Sequence, residues 1–411
     1  MPPPTAIPPE LDYVLLLFAL FVVPRVLQRY RLPTAITSVA LGIAAGIGLG
    51  LFTRDPTVRL LATLGIVSLF LFAGLEVDFV ELRREARVLG QHITIGLAAL
   101  LAAAGLVHWG LALPWRPAML VGLALLTPST GFILDSLPSL GVSEQERFWI
   151  KSKAVATELV ALAVLFVTLQ SSTAQRLSTS LLLLAGMVVL LPIAFRLFAV
   201  RIVPYAPKSE FAFLLMLAVL CAFLTRRLGV YYLVGAFVVG ITAQRFRERL
   251  PAIASDHMLH AVEVFASFFV PFYFFNAGLH IRAEDFAADA IRIGAVLLVV
   301  LLPLRIALVA VHRRLVLGES WRKGARIGVS MLPTLVFTLV IAQILQDRFA
   351  LPPALFGGLV IYTLVNTLIP GFALRLPAAE LDVWHAPEPW PPRPAGGTED
   401  ASRQPGAGAG A

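Results

Sequence analysis

At 411 residues, with 58% hydrophobic residues, only 14% charged and a mean hydropathy of +0.84, the chain is too apolar for a soluble enzyme and reads as a polytopic membrane protein. The formal net charge of +8 does not point to nucleic acid, because the arginines are scattered between apolar runs rather than gathered on one soluble face. The single cysteine, Cys221, excludes a disulfide framework and a CxxC or Cys/His metal site, and no cofactor is expected.

A helix crossing about 30 Å of hydrocarbon needs about 20 apolar residues, and thirteen segments meet that rule in outline. The first four run from Leu11 to Leu27, Pro33 to Leu51, Leu60 to Leu75 and Gly90 to Ala112. The fifth, Ala118 to Leu137, is interrupted by LTPST, and the sixth, Ile150 to Leu169, carries Glu158. Four more follow: Leu177 to Val200, Glu210 to Leu224, Gly229 to Ala243 and Leu259 to Leu279. The last three are Ile293 to His312, Ala325 to Leu345 with MLPTL inside it, and Ala354 to Leu374. The opening MPPPTAIPPELDY lacks the basic start of a cleavable signal peptide, so the first span is expected to be retained. Residues 377–411 turn to Pro, Gly and Ala with mixed charges and are expected to be a disordered cytoplasmic tail with no soluble domain after them.

Lys and Arg set the expected orientation. The odd-numbered connections hold 20 of them, including Lys151, Lys153 and Arg313, against 9 in the even-numbered ones. That bias places odd connections in the cytoplasm, residues 1–10 outside and the C-terminus inside.

Glu158 then lies about 14 Å of helix from Trp149, near the middle of the bilayer. An ionised acid facing lipid at that depth costs several kcal/mol, so it should face a bundle interior or a wet cavity; a carboxylate hydrogen-bonded purely for structure is the alternative. In the second half Arg305 sits in VVLLPLRIALVAVHRR, roughly 12 Å of helix before Arg313 and at similar depth. It is a candidate salt-bridge partner for Glu158, unless it snorkels to the surface.

The interrupted spans match this pattern. Pro128 lies among Thr127, Ser129 and Thr130, and Pro333 lies beside Ser330 and Thr334. Each Pro lacks a donor and clashes with the preceding turn, which breaks the helix and frees carbonyls. Paired breaks in corresponding positions of two halves point to a transporter site between inverted repeats. The order is break then charge in spans five and six, charge then break in eleven and twelve.

Four strings in order resemble the monovalent cation:proton antiporter family, in the bacterial branch of sodium/proton exchangers and potassium efflux systems: LFLFAGLEVDFVELRRE (69–85), GVYYLVGAFVVGI (229–241), FFVPFYFFNAGL (268–279) and GESWRKGARIGVSMLP (318–333). The resemblance covers nearly all of residues 11–374. It implies an all-α membrane domain of thirteen helices over 11–376, with inverted repeats and two crossing broken helices in a mobile core at about 90–169 and 293–374. It also implies a homodimer in the bacterial inner membrane, and it places the family's proton- and cation-carrying acid on Glu158 and its basic residue on Arg305. The family usually has Asp preceded by Asn, Gln or Asp, where this chain has Thr157 and Glu158.

The chemistry also follows from the residues. A carboxylate in a desolvated cavity can hold a proton or a metal cation, but not both favourably, and that competition couples opposite fluxes. Hard alkali cations (Na+, K+ or Li+) prefer oxygen ligands, so Thr127, Ser129, Thr130 and Thr157 are candidate co-ligands of the transported ion, each with an ordinary intrahelical role as alternative. Arg305 stays protonated, so the expected exchange is one cation per proton. Asp135 is a candidate for a cytoplasmic vestibule, although a plain surface carboxylate is the stronger reading; Glu76 and Asp78 are expected as interfacial salt-bridge formers beside Arg83 and Arg84. His257 and His260, near Glu263, are expected on the exterior surface, since nothing completes a metal site there. Two rival readings are a sodium-coupled symporter of organic anions and a non-transporting membrane sensor.

Overall fold

A computed structural model describes residues 9–137, 141–206, 209–229, 232–247 and 256–374. The expected tail at 377–411 lies outside these residues. The described chain folds as sixteen α-helices, with one π-helical and one 3-10 segment and no strand.

The first half comprises α1 (Pro9–Gln28), α2 (Thr34–Ile43, prolonged by a π-helical segment, Ala44–Leu49), α3 (Pro56–Leu75), the short α4 (Phe79–Arg84), α5 (Ala86–Gly110), α6 (Trp115–Leu126), α7 (Thr130–Ser136) and α8 (Glu144–Gln170). The second comprises α9 (Ala174–Arg201), α10 (Glu210–Arg227), α11 (Tyr232–Arg247), α12 (Asp256–Leu279), α13 (Ala288–Leu317), α14 (Trp321–Ser330), α15 (Leu335–Phe349) and α16 (Pro353–Ala373). Local chemistry fixes several starts. Asp55 accepts from Thr57 N–H at 2.8 Å and Val58 N–H at 2.9 Å, with Pro56 at the first position of α3. Ser143 and Glu146 form a reciprocal capping box that starts α8 six residues before the apolar run expected from sequence.

Among the described residues, eight helical segments are long and apolar enough to cross a membrane, or nine if the bent pair α14 and α15 counts as one span. Thirteen crossings would further require α1, α2, α10 and α11.

Two groups of helices pack side by side. In the first, α3 lies against α11 and α12, α2 against α12, and α10 against α11. These contacts are close because glycines meet: a Cβ on Gly74 would strike the carbonyl of Phe237, and one on Gly278 the carbonyl of Val39. In the second group, α5 packs on α6, α13 on α14 and α16, and α15 on α6 and α16. α8 touches α5, α6 and α7 on one side and α9 and α11 on the other, so it stands where the groups meet.

Two expectations are corrected here. Lys153 and Arg313, expected in cytoplasmic connections as orientation signals, lie inside helices, α8 and α13, and both are fully buried. A charge at the end of an apolar run looks the same in sequence whether it faces water or the bundle.

Candidate functional site

The centre of the second group is a crossing of two broken helices. After α6 the backbone is extended at Thr127 and at Ser129 before α7 begins. Thr127 precedes Pro128, whose ring disfavours the helical conformation of the residue before it. α14 likewise ends at Ser330, and after Pro333 and Thr334 α15 departs at 48°.

Each break supplies the other's missing partners. Ser129 N–H donates to Pro333 O at 2.8 Å, and Val336 N–H donates to Ser129 Oγ at 2.9 Å. The hydroxyl of Thr338 donates to Ala124 O at 2.6 Å, and that of Tyr362 to Leu125 O at 2.9 Å, so carbonyls at the C-terminal end of α6 are satisfied from the second half of the chain. Thr334 is held from α16: Asn366 Nδ2 donates to its hydroxyl at 2.9 Å, and Thr363 Oγ1 lies 3.1 Å away. Thr127, Ser129, Thr130 and Thr334 are all buried.

Glu158 is 3% exposed and faces this crossing rather than lipid. It lines a small cavity of about 10 Å³ with Phe70 of α3, Ser129, Thr130 and Gly131 at the first break, and Val336 and Phe337 of α15. The carboxylate lies against the N–H and hydroxyl of Thr130, yet Thr130 Oγ1 meets no partner at hydrogen-bonding geometry. Among the described residues no cationic side chain comes within 4.0 Å of Glu158.

The expected ion pair with Arg305 is therefore corrected. Arg305 is 8% exposed and does not snorkel, but its partners are carbonyls: Nη1 donates to Leu332 O at 2.8 Å and to Tyr362 Oη at 3.1 Å, and Nη2 to Met331 O at 2.9 Å. These oxygens close the C-terminal end of α14, where the helix dipole favours a cation. Glu158 lies by the N-terminal ends of α7 and α15, where exposed N–H groups favour an anion. Each charge is matched to the end of a broken helix.

Thr157 does not join the cavity of Glu158. Its hydroxyl donates to Lys153 O at 2.8 Å, and His92 Nε2 lies 3.3 Å away. It lines a larger cavity of about 100 Å³, together with Thr127, Pro128, His92 and Arg305. Successive side chains point about 100° apart round a helix, so adjacency to Glu158 in sequence does not make Thr157 its neighbour in space.

Sequence reading missed the buried polar groups around Lys153. Its Nζ is 3.2 Å from His312 Nδ1, and the His312 and His92 rings lie 6.1 Å apart. Arg313 sits over Trp149 and pairs with Glu319 at 2.6 Å. The only available signal was that Lys153 precedes Thr157 by four residues, one turn along the same face. Asp135 lies in α7, and nothing is described of its side chain, nor of that of His257. Glu76 pairs with Lys151 at 2.8 Å, joining α8 to the end of α3, and Asp78 accepts from Val80 N–H at 2.8 Å. His260 is exposed and lies 3.6 Å from Glu263. No group of three His, Cys, Asp or Glu side chains among the described residues could hold a metal ion.

Two helix breaks crossing inside an apolar bundle, with a buried carboxylate against one and a guanidinium against the other, define an all-helical membrane protein of the broken-helix kind. The chain belongs to the sodium/hydrogen exchanger transmembrane family, whose model matches residues 15–380. It is 24% identical over 375 residues to the Na(+)/H(+) antiporter NhaS5 of Synechocystis sp., a match covering 88% of this chain and 52% of that protein. The chain thus spans about half the length of that relative. Over 370 residues it is 23% identical to the probable Na(+)/H(+) antiporter 3 of Methanocaldococcus jannaschii, covering 87% of this chain and 93% of that one. Its fold is similar to the sodium proton antiporter MjNhaP1 of M. jannaschii, with a TM-score of 0.66 at 15% identity over 90% of this chain and 95% of the other.

Proposed function

We propose that the protein is a secondary antiporter exchanging a monovalent cation, Na+ or K+, for H+ by alternating access, with Glu158 as the shared carrier. The observation that carries this is the position of Glu158: it is buried beside the unpartnered hydroxyl of Thr130, in a cavity bounded by α3 of one helix group and by α7 and α15 of the other. A site on that boundary changes its exposure when one group moves past the other. Protonated, the carboxyl is neutral and tolerated in the apolar bundle; deprotonated, it needs a counter-charge, and none of the described cationic side chains within reach supplies one. An alkali cation held by Glu158, Thr130 Oγ1 and Ser129 meets that need with oxygen ligands. Thr127 and Thr157 face the other cavity and are assigned no role in binding the ion. Arg305 holds the second break rather than the carboxylate.

The reading further assigns thirteen crossings, an exterior N-terminus, a cytoplasmic C-terminus, a homodimer in a bacterial inner membrane and one cation per proton. Anion symport is the weaker reading, because the cavity at Arg305 is lined by α5, α6, α8, α13 and α14 and by no residue of α2, α3, α10, α11 or α12, so movement of that first group does not uncover it. Inverted membrane vesicles with a trapped pH dye test the function. Sodium, lithium or potassium should dissipate the pH gradient with wild-type protein and fail to do so with Glu158→Gln. Equal responses remove Glu158 from the mechanism, and transport driven by voltage alone in proteoliposomes rules out the electroneutral stoichiometry.

A further inference from the structure

We propose that the larger cavity, between α5 and α13, binds a long-chain monocarboxylate, with its carboxylate on Arg305 and its alkyl chain between the two helices. This goes beyond ion exchange, and three observations support it. First, the cavity is greasy: of the side chains that line its about 100 Å³, only His92, Thr127, Thr157 and Arg305 are polar. Water gains little there, whereas an alkyl chain gains about 25 cal/mol per Å² removed from water. Second, α5 and α13, which both line the cavity, face largely outward, since their apolar stretches are only 17% and 22% buried. A ligand can therefore enter from the hydrocarbon phase.

Third, Arg305 lacks an anion. Three of its five N–H donors are used, two on carbonyls and one on a phenol oxygen, and no carboxylate lies within 4.0 Å among the described residues. The end of α14 offsets about half a unit of charge at most, which leaves a buried guanidinium with two spare donors and an uncompensated remainder. A carboxylate matches that fork in shape and sign. A phosphodiester headgroup does not suit the position, because Arg305 lies about 18 Å of helix inside the nearer end of α13, at Leu317, and a headgroup stays at the membrane surface.

The test uses the purified full chain in detergent and a dodecanoate carrying a photoreactive diazirine on its chain, with labelled peptides mapped by mass spectrometry. Labelling is expected on α5 and α13, displaced at least ten-fold more effectively by dodecanoate than by dodecan-1-ol. Gly96 lines the cavity, and a Cβ there meets no atom within 4 Å, so Gly96→Leu fills space without a backbone clash. It should cut labelling at least ten-fold while leaving the elution profile and thermal midpoint intact. Arg305→Met should make the acid and the alcohol equal competitors; because losing Arg305 also loosens α14, Arg305→Lys, expected to keep the preference for the acid, separates charge from folding. Labelling confined to other helices, equal competition in the wild type, or labelling indifferent to Gly96→Leu each overturns the proposal.

Discussion

Replacing Arg305 and Glu158 singly and together distinguishes carbonyl capping from ion pairing. Arg305→Met removes the donors of Met331 O and Leu332 O, both in the buried interior at the second break. A buried acceptor left without a partner costs about 1–3 kcal/mol, so two of them cost about 2–6 kcal/mol, and removal of an uncompensated buried charge recovers part of this. A net loss of about 1–4 kcal/mol is expected. Glu158→Gln removes no ion pair and replaces a buried acid by a neutral isostere, so it should leave stability within about 0.5 kcal/mol or raise it. Because the two side chains share no partner, the double variant should lose what the singles lose in sum, with coupling below about 0.5 kcal/mol. Thermal and denaturant unfolding of the four purified proteins in one detergent measures this. Coupling above about 1.5 kcal/mol, with the double variant more stable than Arg305→Met alone, would show that the two charges pair and that the capping argument is wrong.

Further outcomes follow from the same contacts. Thr338→Val orphans Ala124 O and should cost about 1–3 kcal/mol in unfolding experiments, while the exposed Thr179→Val, whose hydroxyl only returns to Gln175 O, should cost under about 0.5 kcal/mol. Lys153→Met replaces a fully buried amine that has no carboxylate within 4.0 Å among the described residues, so the thermal midpoint should hold or rise; a marked fall would reveal a compensating partner. Gly74→Leu drives a side chain into the backbone of α11 and should abolish well-folded protein in size-exclusion profiles, whereas Gly186→Leu on α9, with open space at its Cβ, should not.

Much of the site was legible because its marks are chemical outliers in apolar runs. Glu158, Arg305, Pro128 and Pro333 each stand out against Leu, Val and Ala, and the two prolines do interrupt helices at the expected places. What pairs with what was not legible. Arg305 bonds to carbonyls of Met331 and Leu332, and a backbone oxygen leaves no trace in residue identity. Thr157 looked like a neighbour of Glu158 because it is one residue away, although helical geometry turns it toward another cavity. The burial of Lys153 and Arg313 depends on what packs against them, which residue identity does not reveal: His312 of α13 meets Lys153, while Trp149 of α8 and Glu319, just after α13, enclose Arg313. The contributions of α16 were missed for the same reason: Tyr362, Thr363 and Asn366 look unremarkable in an apolar span until the second break is placed beside them.

Competition for one carboxylate is tested most directly by proton release on cation binding. Sodium, lithium or potassium chloride added to weakly buffered, purified protein should release close to one proton per cation bound, and Glu158→Gln should release none. Cation binding without proton release, or equal release from the Gln variant, would contradict the account.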